Sequence, residues 1–408
     1  MQNFLDDKLF KALFFIMSVG LFIQLAGKIF YSSSSANGVH VYLLLILPSL
    51  ILVVGAGLKK KNFLSSEAIF FLTATGFFLF FCSLSAAWSD TNESIAYVLR
   101  KSLVIMLYLF GVIYLVTVAT WQQIKTFLIF VCYISGLGAA ISLGYQLLVL
   151  DESLGWRTFR IYSMGYRGWI DIGYPVIAGI YFGFFAVLTV VLLGLREESK
   201  LQNLLLLVAI LVMLPYIFQT FSRTSWVAGA LAVAYLTAVY RHHTIFALGI
   251  VFGIACVVMG VIFYDEIVVE LTKKQLSGRP IIWTWTLGEF LNHPVVGHGF
   301  DHSFWPEKPF AHAHNFFLQV MFEQGLVGLF FFLAMLSSVF VAVWKHRKAR
   351  WVLASFSLVV YILVAMQVEI QHVITRPGLF WTVFWFPLAL VMGLVNRVYF
   401  NQAEQSEI

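Results

Sequence analysis

Charge is what this chain has least of. Asp, Glu, Lys and Arg together make up 11% of its 408 residues, well under the roughly 25% of an ordinary soluble domain. That shortage excludes a water-soluble globular protein. It also excludes a nucleic-acid binder, because the formal net charge of +6 and pI near 9.1 have no soluble domain on which to form a basic face. Cysteine is almost absent too. Cys82, Cys132 and Cys256 are odd in number, lie inside apolar runs and match no metal or redox spacing, so they read as packing residues. The chain has no internal repeat and no low-complexity tract beyond Ser32 to Ser35.

What fills the space is apolar. Hydrophobic residues make up 61%, with 41 Phe and 12 Trp, and the mean hydropathy is +0.88. Apolar runs fall at approximately 10–30, 40–58, 67–87, 99–119, 126–148, 172–194, 202–220, 224–240, 244–264, 314–340, 350–371 and 379–398. Bilayer-spanning segments must satisfy their own backbone groups, as helices or closed barrels. Runs of roughly 18–22 residues suit helices, whereas barrel strands are alternating segments of about ten. The expectation is an all-α integral membrane protein with about 12 transmembrane helices. Residues 1–264 would hold the first nine, 265–313 a large loop, and 314–408 the last three with a tail, in one membrane domain. Lys8 and Lys11 precede a run too long for a signal-peptide core, so it reads as an uncleaved first helix.

Short loops on one side carry Lys59, Lys60, Lys61, Lys125, Arg196, Lys200, Arg241, Lys345, Arg347, Lys348 and Arg350, with Arg397 near the C-terminus. Short basic loops mark the cytoplasmic side, which places both termini there. The opposite side also holds cations: Arg157, Arg160 and Arg167 between spans five and six, Arg223 in a tight turn, Lys273, Lys274 and Arg279 in the large loop, and Arg376 before the last span. Arginine on the translocated side works against topology, and an anionic ligand is the simplest reason for it. Headgroup anchoring or internal ion pairing is the alternative for each one.

The densest chemistry lies at 277–328, SGRPIIWTWTLGEFLNHPVVGHGFDHSFWPEKPFAHAHNFFLQVMFEQGLVG. Half of the ten histidines fall in it: His293, His298, His302, His312 and His314. Imidazole suits proton transfer near neutral pH. If 312–314 is extended, both imidazoles point the same way; if it is helical, His312, Asn315, Gln319 and Glu323 form a polar stripe facing a water-accessible cavity. A zinc site using His312 and His314 with His298 or His302 is one alternative, and helix capping another. Gln219–Trp226 sets Arg223 among hydroxyl residues between two apolar spans. A guanidinium there offers the planar bidentate donation that a diphosphate accepts. Arg279, in SGRPIIW, has pairing with Glu289 or Asp265 as its structural alternative. Trp283, Trp285 and Trp305 suit either sugar stacking or interfacial anchoring.

In their order and placement, SRTSW, SGRPIIW, NHPVVGHGF and HAHNFFLQVMFEQGLVG resemble the O-antigen ligase and polymerase family of bacterial membrane glycosyltransferases. The specific motifs are confined to about 219–228 and 277–328, within a frame that spans the chain. The resemblance implies that the large loop is periplasmic, that the enzyme sits in the inner membrane, and that the mechanism is inverting, with no metal and no cofactor. It implies undecaprenyl-diphosphate-linked O-antigen as donor and lipid A–core as acceptor, among membrane lipids. Donor-diphosphate roles fall on Arg223 and Arg279, and on Arg160 in preference to Arg157 and Arg167. The base falls on His314, next to the asparagine, with His312 beside it. The compact loop favours a ligase over a polymerase. A transporter, the rival from another class, would place ionisable groups near mid-membrane; here mid-span positions are almost uncharged, and Glu369 falls near the outer end of span eleven.

Overall fold

The computed structural model describes residues 7–58, 63–153, 155–195, 199–240, 243–273, 278–305, 310–369 and 372–406. Lys59, Lys60, Lys61, Arg196, Arg241 and Lys274, used above to assign sides, lie outside those residues. Helix accounts for 77% of the structure, and among the described residues there is no strand. The helices run α1 (Asp7–Phe30), α2 (Ser34–Val41), a π-helical turn (Tyr42–Ile46), α3 (Leu47–Leu58), α4 (Ser66–Ser85), α5 (Ile95–Val118), α6 (Trp121–Leu148), α7 (Pro175–Gly194), α8 (Lys200–Gln219), α9 (Arg223–Tyr240) and α10 (His243–Ile262). There follow α11 (Tyr264–Lys273), α12 (Arg279–Asn292), α13 (Phe316–Lys345), α14 (Arg350–Ala365), a second π turn (Trp381–Trp385) and α15 (Phe386–Ser406).

Among the described residues nine helices are long and apolar enough to cross a membrane, α2 to α3 and the second π turn with α15 each counting as one. Helices α9, α10 and α14 fall where the sequence places the other three spans, at 18, 20 and 16 residues.

Helix starts follow the local chemistry. Ser94 caps α5 by accepting from the Tyr97 N–H, Thr120 and Gln123 close a reciprocal capping box on α6, and Ser199 and Gln202 do the same on α8. Pro175 opens α7, where its missing N–H costs nothing. Helix α7 is buried along 89% of its membrane-length window, which makes it the centre of the bundle, packed on α8, α9 and α14. Lipid tails give apolar helices no reason to prefer one another, so close approach at small residues matters more than burial. Gly136 of α6 faces Ala209 of α8, and Gly183 of α7 lets the Tyr361 hydroxyl reach the Ile180 carbonyl at 2.9 Å. Cys82 and Cys132 are buried free thiols.

Helix α13 is broken at Gly325, which adopts φ 62° and ψ −160°. The segment His293–Gly299 lies across the break as a strap. His298 N–H donates to the Phe322 carbonyl (2.9 Å) and Gly299 N–H to that of Glu323 (2.7 Å). In return Leu326 and Val327 N–H donate to the carbonyls of Pro294 (2.9 Å) and Val295 (3.1 Å). Gly297, at φ 67°, is equally obligatory, because a Cβ there would overlap the Glu323 backbone. At Gly325 a Cβ would overlap the Val295 carbonyl. Gly325→Ala is therefore expected to lower the stability of purified protein by roughly 2–4 kcal/mol, read as a drop in thermal unfolding temperature. Gly229→Ala, on α9 with open space at its Cβ, serves as the control and stays within a degree or two. Equal behaviour of the two variants would remove the strap as a structural necessity.

Candidate functional site

The loops that meet at one end of the bundle are fixed by specific contacts. Asp90 of the α4–α5 loop accepts from Ser303 N–H at 2.8 Å and pairs with His302 Nδ1 at 2.9 Å. The α6–α7 loop is laid on the α8–α9 turn by Ile161 N–H to the Gln219 carbonyl (3.2 Å) and Gln219 Nε2 to the Phe159 carbonyl (2.9 Å). Phe316 N–H donates to the Met366 carbonyl (2.8 Å), joining the start of α13 to the end of α14.

At this end sits the histidine cluster. Residues 312–314 are neither an extended pair nor part of α13: Asn315 is the N-cap, its Oδ1 accepting from Leu318 N–H at 3.1 Å, and His314 is left-handed at φ 50°. A bulky residue in that conformation stores strain of order 1–3 kcal/mol. The turn folds the two rings together, with centroids 3.9 Å apart. His312 is buried, and its Nδ1 accepts from the His314 backbone N–H at 3.1 Å. Burial, and the nearby His314, His372 and Arg279, push the His312 pKa down to about 3. It is a neutral acceptor that holds the backbone of its neighbour.

His314 presents a different environment. Its side chain is 27% exposed, yet Nδ1 is shut away from solvent, 3.5 Å from Glu369 Oε2 and without a hydrogen bond. The same oxygen lies 3.4 Å from Arg279 Nη2. One buried carboxylate oxygen thus stands between a guanidinium and an imidazole. The partner of Arg279 is Glu369; Glu289, weighed above, lies 3.7 Å from His298 instead.

Arg223 belongs to the α8–α9 turn, and Arg160, on the α6–α7 loop, reaches that turn. Arg160 Nε donates to the Thr220 carbonyl at 3.0 Å, whereas Arg167 lies over the Tyr166 ring at 5.2 Å. Helices α9 and α14 run antiparallel: Tyr235 hydroxyl donates to the Leu353 carbonyl (3.2 Å), while Ser225 and Tyr361 both abut Gly183. That register sets Arg223, exposed in the first turn of α9, level with the last turn of α14. All five sequence-derived residues therefore lie at one end of the bundle, with Arg160 and Arg223 at one turn and Arg279, His312 and His314 in one contact group.

The polar stripe on α13 is an internal network rather than the lining of a wet cavity. Gln319 Oε1 accepts from Ala313 N–H at 2.9 Å, and Gln319 Nε2 donates to Glu323 Oε1 at 2.7 Å. Gln324 Nε2 adds a contact to Glu323 Oε2 at 3.4 Å, and His372 Nδ1 lies 3.6 Å from Oε1. His372 Nε2 continues to Asp301 at 3.7 Å. Glu369, His372 and this role of Glu323 were missed from the sequence. A carboxylate at the site end of an apolar span, followed three residues later by histidine, is the signal that would have found the first two.

The remaining histidines and the tryptophans hold the strap and α12 in place. His298 packs against His293, His302 and Phe322, at 4.3, 5.0 and 4.7 Å between centroids. Burial, helped by His293 and His302, keeps its imidazole below the ordinary value despite contacts with Glu289. Trp283 Nε1 donates to the Ala313 carbonyl at 3.0 Å, and Trp285 and Trp305 stack on each other at 4.8 Å.

These features define a multi-pass helical membrane protein with cationic and proton-accepting groups gathered at one end. A sequence model of the family described as O-antigen ligase matches residues 208–333, a span that includes Arg223, Arg279, His312 and His314. An O-antigen ligase of Pseudomonas aeruginosa is 27% identical over 398 residues, covering 96% of this chain and 94% of the relative. Both comparisons place the chain's similarity among O-antigen ligases, the family model over its middle part and the relative over nearly its whole length.

His312 carries a pH signature. Its folded pKa lies below the unfolded value near 6.5, so the unfolded chain binds the extra proton and acid favours unfolding. This contribution is complete above about pH 6.5 and drains away as pH falls toward 3, with a ceiling on the order of 5 kcal/mol. His312→Gln should lose less thermal stability than wild type between pH 7.5 and 4; parallel curves would contradict a buried neutral imidazole.

Proposed function

We propose that this chain is an O-antigen ligase. It transfers glycan from undecaprenyl diphosphate to a sugar hydroxyl of lipid A–core, with inversion and without a metal. The observation that carries the reading is the shared Glu369 oxygen, which couples Arg279 to His314 at 3.4 and 3.5 Å. It is supported by the relative's name and by Arg160 and Arg223 at the adjoining turn.

Proton transfer and charge stabilisation have separate owners. His314, with Nδ1 directed at Glu369, offers its other nitrogen, Nε2, to the acceptor hydroxyl and takes its proton. The acceptor oxygen forms a bond to the anomeric carbon as the bond to the diphosphate oxygen breaks. Undecaprenyl diphosphate leaves with the electron pair. Arg223, Arg279 and Arg160 balance that charge, so a dry site needs no cation beyond them. A guanidinium has five N–H donors, and an ion pair through one nitrogen of Arg279 is compatible with phosphate contacts through others. The site end would face the periplasm, with about twelve crossings and both termini in the cytoplasm.

The decisive measurement is a lipopolysaccharide gel from a deletion strain, run beside an assay of undecaprenyl-linked polymer. Bare core with accumulated long lipid-linked polymer, rescued by wild type but not by stable His314→Ala, is the expected result. Core capped with a single repeat would mean a polymerase, and an unchanged ladder would redirect attention to transport. With purified enzyme, Arg223→Lys and Glu369→Gln should each lower transfer by about tenfold or more; full activity of either sinks its assigned role. Transfer should survive a chelator, and inhibition reversed by zinc would restore the metal alternative.

A further inference from the structure

A second cationic site lies on the far side of the Glu323 network from Arg279. Two adjoining cavities, of about 480 and 580 Å³, open between the end of α1, the start of α2, the first turns of α5 and the segment 372–380. They share Ser34, Tyr97, Lys101, Arg376 and Pro377. At their junction stands Tyr97. Its hydroxyl accepts from Arg376 Nη2 at 2.9 Å, and its ring carries Lys101 at 4.3 Å and Arg100 at 5.0 Å. Three cations therefore surround one phenol. Lys101 is matched by Glu93 at 2.7 Å. Among the described residues, Arg100 and Arg376 have no carboxylate ion pair, and the larger cavity is lined by all three cations and by no acid.

The contacts to Tyr97 hold these like charges close together, and an arriving anion would relieve their mutual repulsion. The smaller cavity gives the arrangement a direction. It extends to His372 and Asp301, and from His372 the contacts run through Glu323 and Gln319 to the Ala313 N–H, between His312 and His314. The cluster at His314 is thus flanked by Arg279 through Glu369 and by this cavity through His372.

We propose that the paired cavity binds phosphate groups on the sugars of the acceptor glycolipid, with Arg100 and Arg376 as the principal contacts and Lys101 in support. This rests on the glycan-transfer reading above. A tetrahedral phosphate presents three oxygens, enough to meet two guanidinium forks and an ammonium at once, which a carboxylate with two cannot. Donor and acceptor would then be held by separate sets of arginines, with His314 between them. A phospholipid headgroup offers the same chemistry, so the test must separate the two sources.

The test is direct binding to purified protein in phosphatidylcholine nanodiscs, alongside transfer by the same preparation. The probes are purified lipid A–core, the same material with its core phosphates removed, and phosphatidylglycerol as competitor. Removing the phosphates should weaken binding about tenfold or more, with strong salt dependence. Arg100→Gln/Arg376→Gln should bind intact core only as well as wild type binds dephosphorylated core. Each single variant should fall between, which keeps the test valid should the double variant fold poorly. Arg347→Gln, at the opposite end of the bundle, should bind as wild type does. Unchanged binding by the single variants, indifference to the phosphates, or displacement by equimolar phosphatidylglycerol would each overturn the assignment. Transfer with unaltered binding would sink the cavity and leave the ligase. Phosphate-dependent binding through these arginines without transfer would sink the ligase and retain the cavity as an anionic glycolipid site.

Discussion

In a membrane, a helix that breaks must find new partners for the N–H and C=O groups it exposes, since no water is there to take them. Helix α13 breaks at Gly325 and finds its partners in the His293–Gly299 strap. Much of the site's architecture depends on that exchange. It brings the end of α12 and the loop after it down onto the bundle. It sets the His298 ring against Phe322, and places Asp301 and His302 where they meet His372 and Asp90. It also leaves Glu323, the residue two before the break, inside protein with Gln319 and Gln324 around it.

Two buried carboxylates then divide the labour. Glu323 organises: through Gln319 it holds the backbone between the two histidines. Glu369 communicates, because a single oxygen meets both Arg279 and His314. A carboxylate in apolar surroundings is costly unless compensated, and removing a partner leaves the cost unopposed. That each lies beside a histidine ring, Glu369 at 3.5 Å from His314 and Glu323 at 3.6 Å from His372, argues for a site built around charge. A transporter also uses broken helices and buried acids. Here the break is closed by four backbone hydrogen bonds, which favours a fixed scaffold over a moving gate.

Much of this was legible in the sequence. Apolar runs of bilayer length gave the helices, because hydrophobicity over some twenty residues is a strong signal. Arg160, Arg223, Arg279, His312 and His314 all lie at one end, because helix polarity alternates and every second loop returns there. What the sequence hid was long-range. Glu369 read as an unremarkable acid at a span end, since its partners are 55 and 90 residues away. The strap read as a histidine-rich loop, when its glycines carry the structural meaning. The α13 stripe suggested a wet cavity, because periodicity reports which residues share a face and not what covers that face. The His312–His314 segment defeated both regular alternatives by adopting a left-handed residue.

The strap has one further consequence, for the lengths the chain tolerates. Its donors at His298 and Gly299 and its acceptors at Pro294 and Val295 engage residues on both sides of Gly325 in fixed order. Adding or deleting one residue between Val295 and His298 would put one pair of bonds out of register with the other and move Gly297 from the place where only a hydrogen fits. A one-residue insertion or deletion inside the strap is thus expected to break it, and its spacing is as much a part of the site as any arginine.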